Sequence, residues 1–480
     1  MHPDIVKISR IPQKSNIVFI TRNPVKLPKG FFNSAELTYM STLNKGSKQD
    51  FFTFNRLDHW LFVYFIKEEP DQYKLKESIR KSGEKSGLLL NESKVSKVII
   101  YDTGDYTMET LAFAEGLALG QYWFLKYKKK EENNRVNEIL VFSGKTGNPE
   151  IRILNILIDA VVRCRTLINE PNSFLTAPVF AREIEKMGIA CSATVETFNK
   201  RKIESLKMGG LLAVNKGSKI PPTFTTIEWK PAQPVNKKPI VLVGKGVVFD
   251  SGGMNLKPGD SMSTMKDDMS GAAAVGAAVY AIACAKLPVH VIGLMPATDN
   301  RPGPEAVVPG DIIKMQNGST VEILNTDAEG RLILADALIY ASRYDPMLVI
   351  DLATLTGSAL RAVGKYGIVA MQSNAEKELE ELKSSGLETY ERIVEFPIWD
   401  EYAEGLKSDL ADIKNIGPAE AGAITAGKFL ETFIDYPWIH LDIAGPAFLE
   451  KRDSYRGQGG TGAGVRLIFD FIRKKAGKPQ

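Results

Sequence analysis

The second part of the chain alternates apolar strand-like runs with helix-like segments, and this alternation constrains the fold more than any other feature. The runs PIVLVG, PVHVIGLMP and PMLVIDLAT are separated by an Ala/Gly-rich helical segment from Ser270 to Ala285 and by a helical segment that begins at Gly330. Such alternation is typical of a central sheet whose strands are largely parallel and are flanked by helices. We therefore predict an α/β fold with a mixed, largely parallel sheet.

The first part of the chain also mixes strands and helices. Strand-like runs cover Ile17 to Thr21, Trp60 to Ile66 and Val98 to Tyr101, and a helical stretch runs from Thr107 to Lys126. Apolar residues at helical spacing from Ile151 to Leu167 predict a linking helix. A chain of 480 residues normally divides into two domains, so we expect an α/β domain at 1–150 and a second domain at 151–480.

The charge balance and the cysteine content exclude several classes of protein. The 61 basic and 57 acidic residues give a net charge of only +4, which offers no broad attraction for nucleic acid or anionic membrane. The one basic cluster lies in a predicted solvated loop, Lys126 to Arg135. Three cysteines without a C-x-x-C pattern support neither a disulfide framework nor a thiolate zinc site. With no signal-peptide or membrane-spanning run, we expect a cytoplasmic protein without membrane or nucleic-acid partners.

Three segments place charged residues where a purely structural role would favour apolar ones. In VGKGVVFDSGG, an apolar run ends at Lys245, and Asp250 precedes a turn-forming Ser-Gly-Gly. A lysine at the end of a central strand is costly to bury unless it has a partner or a task. Lys257 follows shortly after this stretch, and the next proline restricts it to an extended backbone. The segment therefore predicts two lysines and a carboxylate at one edge of the sheet.

The other two segments add acids at predicted helix starts. Asp267 and Asp268 precede the Ala/Gly-rich helix, and the stretch NTDAEGRL carries Asp327, Glu329 and Arg331. Helix capping is the competing explanation, because aspartates favour N-terminal positions and NTDAEGRL fits a capping box. Capping does not account for two acids and an arginine clustered after an apolar strand.

The acids suggest a metal site if the three segments converge. Asp250, Asp268, Asp327 and Glu329 would repel one another strongly, and two divalent cations would neutralise them. Such a pair of ions activates a water and polarises a carbonyl, which is hydrolytic chemistry without histidine. The four histidines are isolated and form neither H-E-x-x-H nor a serine triad. Hydrolysis at a two-metal site is therefore the predicted chemistry.

At these residues the chain resembles the leucine aminopeptidase family of cytosolic dimetal peptidases. The family signature NTDAEGRL is unaltered here, and the resemblance extends over roughly the C-terminal two-thirds of the chain. It also covers the following stretches: VGKGVVFDSGG, the lysine of NLKPGD, MKDDMSGAAAV, DLATLTG, SDLADIKN and HLDIAG. The resemblance implies a macrodomain-like N-terminal domain and a C-terminal catalytic domain.

The resemblance also implies a role for each matching residue. Lys245, Asp250, Asp268 and Glu329 would bind the tighter ion, and Asp250, Asp327 and Glu329 the more exchangeable one. Asp267 would not bind an ion itself, and would either contact the direct ligands or cap the helix. Lys257 would stabilise the oxyanion, and Arg331 would hold a bicarbonate that acts as general base. The pocket for the N-terminal side chain would be lined by Met265, Thr354, Gly357 and Ala444, with Leu355 offering its backbone.

The remaining implications concern partners and substrates. The family resemblance implies Zn²⁺ or Mn²⁺ as the ions, a homohexamer, and peptides with a free N-terminus that begin with leucine or another apolar residue. The sequence departs from the family at Pro446 and Ala447, where family members often have a methionine. The alternatives are another two-metal hydrolase such as a phosphatase, a DNA-binding regulator, and a catalytically dead scaffold.

Overall fold

The computed structural model of the chain describes residues 2–46, 49–129 and 135–477. The chain forms two compact units, Met1–Val162 with Lys451–Gln458, and Arg163–Glu450 with Gly459–Gln480. The predicted domain boundary near residue 150 lies close to the start of a helix, Asn148–Asn169, and stays a prediction. Residues 130–134 of the predicted basic loop lie outside the described part of the chain.

The first unit is built on a six-stranded sheet. The strand order is β1-β6-β5-β2-β4-β3, and every neighbouring pair is parallel except β3 with β4. The strands are β1 (Asp4–Lys7), β2 (Ile17–Thr21), β3 (Phe51–Asn55), β4 (Trp60–Phe65), β5 (Lys97–Asp102) and β6 (Glu138–Phe142). The helices are α1 (Ser34–Gly46), α2 (Gln72–Glu92) and α3 (Thr107–Gly120), and α4 (Asn148–Asn169) begins in this unit and continues past its last residue, Val162.

Alternating residues of the first sheet form its core. Phe19 on β2, Val63 on β4, Ile99 on β5 and Leu140 on β6 belong to one buried cluster, as the two-residue period of strands requires. β2 lies in the middle of the sheet and all five of its residues are buried. A strand that is covered on both faces reads as a continuous apolar run.

The second unit contains a nine-stranded mixed sheet in the order β16-β15-β18-β14-β9-β11-β8-β7, with β10 paired to β11. Two smaller sheets complete it. The strands are β7 (Thr194–Phe198), β8 (Thr223–Trp229), β9 (Ile240–Gly244), β10 (Gly246–Asp250), β11 (Val291–Asn300), β12 (Ile312–Lys314), β13 (Thr320–Glu322), β14 (Leu348–Ala353), β15 (Ile368–Ser373), β16 (Ile393–Glu395), β17 (Ile413–Lys414), β18 (Trp438–Asp442), β19 (Phe448–Leu449) and β20 (Gly459–Gly460).

Helices cover the strands of the second unit. They are α5 (Ala177–Cys191), α6 (Lys200–Ser205), α7 (Gly209–Asn215), α8 (Ser270–Cys284), α9 (Gly330–Ala341), α10 (Gly357–Val363), α11 (Glu376–Thr389), α12 (Gly422–Glu431) and α13 (Val465–Ala476). The parallel core β11-β9-β14-β18 confirms the predicted α/β class. Among the described residues, no helix combines the length and the apolar character that crossing a membrane requires.

Small residues bring α8 close to the sheet. A Cβ atom on Gly271 would lie 2.0 Å from the carbonyl oxygen of Leu352 on β14, so only glycine allows this approach. The first turn of α8 is therefore held against the end of β14. The residues just before this turn, which include Asp268, are brought to the same edge as Lys245.

Some predicted element ends were wrong. The helix predicted from Thr107 to Lys126 ends at Gly120. The helix predicted to begin at Gly330 does begin there, and it ends at Ala341 before one turn of 3₁₀ helix. Asp267 and Asp268 do not begin α8, because a separate 3₁₀ turn, Met265–Asp267, precedes it. The segment around Asn317 forms a hairpin, in which β12 and β13 pair antiparallel.

Candidate metal centre

The charged residues of the three segments meet at the carboxyl ends of the parallel strands. Lys245 directly follows β9, and Asp250 is the last residue of β10. Asp268 lies between the 3₁₀ turn and α8, while Asp327 and Glu329 lie in the turn before α9. This edge of an open α/β sheet is where ligand sites usually form.

Lys245 is held by two carboxylates and one carbonyl. Its Nζ atom lies 2.6 Å from Asp268 Oδ1 and 3.0 Å from Glu329 Oε1, and it donates to the Thr354 carbonyl at 3.0 Å. Burial by itself lowers the pKa of Lys245, but the nearby carboxylates outweigh burial and raise that pKa above its ordinary value. A Cβ atom on Gly330 would lie 2.4 Å from Lys245 Cε, so the glycine of the NTDAEGRL turn makes room for this side chain.

Lys257 bridges a second pair of carboxylates on the more open side of the cluster. Its Nζ atom lies 2.8 Å from Asp250 Oδ2 and 2.7 Å from Asp327 Oδ1. The side chain is 15% exposed, compared with 4% for Lys245. The two lysines therefore occupy different environments within one network, a buried one and one at the rim.

The carboxylates form a compact group of oxygen donors. One oxygen from each of Asp250, Asp327 and Glu329 lies within 4.8 Å of the other two. Burial, and then repulsion from Asp250, raises the pKa values of Asp327 and Glu329. Two buried oxygens, Asp268 Oδ2 and Glu329 Oε2, accept no hydrogen bond within the described part of the chain. Orphaned buried carboxylate oxygens are costly unless a cation binds them.

The donor set fits hard or borderline divalent cations. Four carboxylates face only two ammonium groups, which leaves two negative charges when all are ionised. Oxygen ligands supplemented by one nitrogen suit Mn²⁺, Zn²⁺ and related ions. The predicted convergence of Lys245, Asp250, Asp268, Asp327 and Glu329 in one cluster is thus observed.

Helix capping does not explain the acids. Among the described residues, neither α8 nor α9 receives a side-chain hydrogen bond from its N-cap residue. The Thr326 hydroxyl instead donates to the Gly252 carbonyl at 2.6 Å and accepts from Asn255 N–H at 2.8 Å. Asp267 accepts through its backbone carbonyl from Ser270 Oγ at 2.5 Å, and burial raises its side-chain pKa to about 7.

Arg331 lies buried in the first turn of α9. Its Nη1 donates to the Asn415 carbonyl at 2.9 Å, and its guanidinium lies 5.9 Å from the ring centre of Phe429. The Nε–H has no hydrogen-bond partner in the described chain. Burial lowers the Arg331 pKa to about 10. The guanidinium is therefore a fixed cation with an unused donor, which suits it to hold a small anion.

Four of the predicted pocket residues lie on two neighbouring loops. The Thr354 hydroxyl donates to Asp268 Oδ1 at 2.9 Å, which joins the loop after β14 to the carboxylate cluster. Leu355 follows in this loop, and Gly357 begins α10. Ala444 lies two residues after the end of β18. Met265 begins the 3₁₀ turn that ends just before Asp268.

Sequence reasoning missed three polar residues that hold the cluster together. Asn300, the last residue of β11, donates its side-chain amide to Asp250 Oδ1 at 2.8 Å and to the Thr326 carbonyl at 3.0 Å. Asn415 accepts from Leu324 N–H at 2.9 Å and so anchors the NTDAEGRL turn. Asp442 accepts hydrogen bonds from Leu355 N–H at 3.2 Å and from Ala444 N–H at 3.1 Å, both on the loops of the predicted pocket. Each is a polar residue at or just after the end of a strand, and Asn415 and Asp442 also lie in the family-like stretches SDLADIKN and HLDIAG.

A buried group of carboxylates and two lysines at the carboxyl edge of an α/β sheet defines a metal-dependent hydrolase. Residues 162–469 match the model of the cytosol aminopeptidase family, catalytic domain. A relative from Chlorobium limicola described as "Probable cytosol aminopeptidase" is 45% identical over 379 residues, which cover 76% of this chain and 75% of the relative. The chain belongs to the cytosol aminopeptidase family.

Solved structures agree with this assignment. The bottromycin maturation enzyme BotP in complex with Mn has a TM-score of 0.85 at 27% identity, covering 96% of this chain and 100% of that one. A mutant of tomato leucine aminopeptidase gives 0.85 at 27% identity, covering 98% and 96%. The protein is a metal-dependent aminopeptidase, a hydrolase that removes N-terminal residues from peptides.

Proposed function

We propose that this enzyme prefers peptides that begin with leucine or another apolar residue, and that five residues hold its two divalent ions. The proposed ligands are Lys245, Asp250, Asp268, Asp327 and Glu329. The observation that carries the assignment is the network in which Lys245 contacts Asp268 and Glu329, and Lys257 contacts Asp250 and Asp327, while two buried carboxylate oxygens have no partner in the described chain. When bound, the ions supply an activated water and polarise the scissile carbonyl.

The proposed ligands divide into two overlapping sets. Lys245 contacts Asp268 and Glu329 in the buried half of the cluster, which supports their assignment to the tighter ion together with Asp250. Asp327 has a side chain that is 33% exposed, and this openness supports its assignment to the more exchangeable ion. Lys245 can bind a metal only as the neutral amine, so its proton must leave when the ion binds.

Lys257 is the proposed oxyanion stabiliser. Its ammonium lies at the rim of the cluster, within reach of Asp250 and Asp327. Burial works against its charge, but the adjacent carboxylates raise its pKa above the ordinary value, so the side chain stays a charged hydrogen-bond donor at neutral pH. A positively charged donor placed where negative charge develops lowers the barrier of acyl transfer.

Arg331 is the proposed holder of a bicarbonate that serves as general base. Its guanidinium is fixed by the Asn415 carbonyl, and its Nε–H has no partner among the described residues. A fixed guanidinium binds a planar oxyanion through paired hydrogen bonds. In this proposal Arg331 orients the base and does not itself accept the proton.

The proposed pocket for the N-terminal side chain comprises Met265, Thr354, Gly357 and Ala444, with the Leu355 backbone contacting the peptide. Methionine is apolar and adaptable, and the glycine and alanine occupy little space. This composition supports a preference for medium-sized apolar side chains. Ala447 is 1% exposed, and its carbonyl oxygen accepts a hydrogen bond from the Thr461 hydroxyl at 3.2 Å. It therefore adds little surface to such a pocket.

The remaining parts of the proposal concern the ions, the location and the assembly. We propose Zn²⁺ or Mn²⁺ as the ions, and the Mn complex of BotP supports manganese. The relatives named as cytosol aminopeptidases support a cytoplasmic location. We also propose a homohexamer and a macrodomain-like first domain, both on the family resemblance.

A steady-state scan of aminoacyl amides tests the proposal. The enzyme is stripped with chelator, loaded with Zn²⁺ or Mn²⁺, and assayed with leucyl, methionyl, alanyl, lysyl and glutamyl amides. Leucyl and methionyl amides should give the highest kcat/KM, and N-acetyl-leucyl amide should not be hydrolysed because it lacks the free amine. A preference for charged residues would refute the pocket assignment, and hydrolysis of a phosphate monoester would favour another two-metal hydrolase.

A further inference from the structure

Asp442 connects the two loops that carry the proposed substrate pocket. It is the last residue of β18 and is 1% exposed. Its Oδ1 accepts from Leu355 N–H at 3.2 Å and from Ala444 N–H at 3.1 Å, and its Oδ2 accepts from the Thr356 hydroxyl at 2.8 Å. One buried carboxylate thus receives three hydrogen bonds, two from one loop and one from the other.

The Thr356 hydroxyl extends this connection into α10. Besides donating to Asp442, its oxygen accepts from Ala359 N–H at 2.9 Å and so caps the helix. The hydroxyl can do both only because it is a donor and an acceptor at once. The start of α10, where Gly357 lies, is therefore fixed to the same carboxylate.

The segment 354–356 is pinned from two sides. On one side Thr354 contacts the proposed metal ligands, through its hydroxyl to Asp268 and through its carbonyl to Lys245. On the other side Asp442 holds the next two residues. We propose that Asp442 is a positioning residue that sets the width of the substrate pocket by fixing this segment against the loop of Ala444. The inference rests on the proposed function of these loops.

This role predicts which kinetic constant responds. Lys245, Asp250, Asp268 and Glu329 have no hydrogen bond with Asp442 among the described contacts. The contacts that position these proposed metal ligands therefore do not depend directly on Asp442. Loss of the carboxylate charge weakens three hydrogen bonds to the pocket loops, each of which is stronger for having a charged acceptor. Substrate binding should suffer more than the chemical step.

The test compares four variants of the metal-loaded full-length enzyme. Asp442→Asn keeps the side-chain shape, and Thr356→Val removes the hydroxyl while keeping the volume. In both, we expect KM for leucyl amide to rise by about tenfold with a smaller change in kcat, and the preference for leucyl over alanyl amide to narrow. Thr356→Ser, which keeps the hydroxyl, should restore KM. The double variant should be less impaired than the sum of the two single effects, because both changes remove the hydrogen bond between Asp442 and Thr356.

The outcomes separate this inference from the proposed function. Wild-type KM and wild-type leucyl preference in Thr356→Val and Asp442→Asn would overturn the positioning role while the aminopeptidase assignment stands. A lower melting temperature with unchanged KM and selectivity would show a purely structural role and would also overturn it. A wild-type enzyme inactive on leucyl amide but active on another class of substrate would overturn the proposed function, and this inference with it.

Discussion

The side-chain amide of Asn300 donates a 2.8 Å hydrogen bond to Oδ1 of Asp250. The same amide group donates to the Thr326 carbonyl at 3.0 Å, so one residue aligns two of the three segments that build the cluster. Asp250 Oδ1 also accepts from Gly252 N–H at 2.8 Å, which leaves Oδ2 facing Lys257. Asn300 therefore fixes which oxygen of Asp250 is turned towards the rest of the cluster.

Replacing Asn300 should weaken metal binding. Residues that orient a metal ligand typically contribute 10–100-fold to affinity, so Asn300→Ala should raise the Kd for Mn²⁺ by about tenfold or more. The measurement is a competition titration against a chromophoric chelator. Asn317→Ala, in the exposed β12–β13 hairpin, is the control. Equal affinities in the two variants would contradict the orienting role.

Removing one charge from the shared carboxylates should abolish activity. Glu329→Gln and Asp250→Asn each keep the side-chain volume but remove an anionic ligand proposed to contact both ions. Each variant should bind fewer than two ions, as measured by elemental analysis after dialysis, and should show less than about a hundredth of the wild-type kcat/KM. Near-normal turnover in either variant would refute the ligand assignment.

Chelator should inactivate the wild type, and Zn²⁺, Mn²⁺ or Co²⁺ should restore its activity to different extents.

The two lysines should be separable by experiment. Lys257→Ala should lower kcat by more than about tenfold, because an oxyanion donor is lost, while metal content stays at the wild-type level. Lys245→Ala should lose metal together with activity. A Lys257→Ala variant that loses metal would mean that the roles of the two lysines are reversed.

The charged part of the site was predictable because buried charges are conspicuous in a sequence. Lys245 after an apolar strand, and Asp327 and Glu329 after another, have no simple structural explanation, and the structure brings all of them together. Asn300 and Asp442 could not be found in this way. Apart from Ala444 N–H beside Asp442, the partners cited for them are groups more than 25 residues away in sequence, and only strand register and loop packing bring these into contact.

Element ends were harder to predict for the same reason. The helix starting at Thr107 stops at Gly120, where a Cβ atom would lie 2.6 Å from the side chain of Glu84 on α2. Gly116 approaches α2 even more closely, since its Cβ would lie 1.9 Å from the Arg80 carbonyl oxygen. These glycines reflect contact between two helices, which local helical spacing does not reveal. The domain boundary near residue 150 stays a prediction.

Asp336 should make the stability of the enzyme depend on pH. It is fully buried on α9, where its Oδ2 accepts from Leu211 N–H at 2.8 Å while Oδ1 has no partner in the described chain. Burial raises its pKa from 3.8 to about 7. Well below its ordinary pKa of 3.8 the group is protonated in both states and carries no penalty. Between pH 4 and 7 the unfolded state ionises first, so stability falls as pH rises, and it levels off above the folded pKa.

The variant Asp336→Asn isolates this effect because asparagine does not ionise. Relative to the variant, the wild type should lose up to about 4 kcal/mol of unfolding free energy between pH 4 and pH 7, at 1.36 kcal/mol per pKa unit. Urea midpoints measured at half-unit pH steps would show the two curves diverging over this range. Asp435→Asn at an exposed position should run parallel to the wild type. Parallel curves for Asp336→Asn as well would mean that Asp336 is already ionised in the folded protein at pH 4, held by the backbone N–H groups at the start of α7.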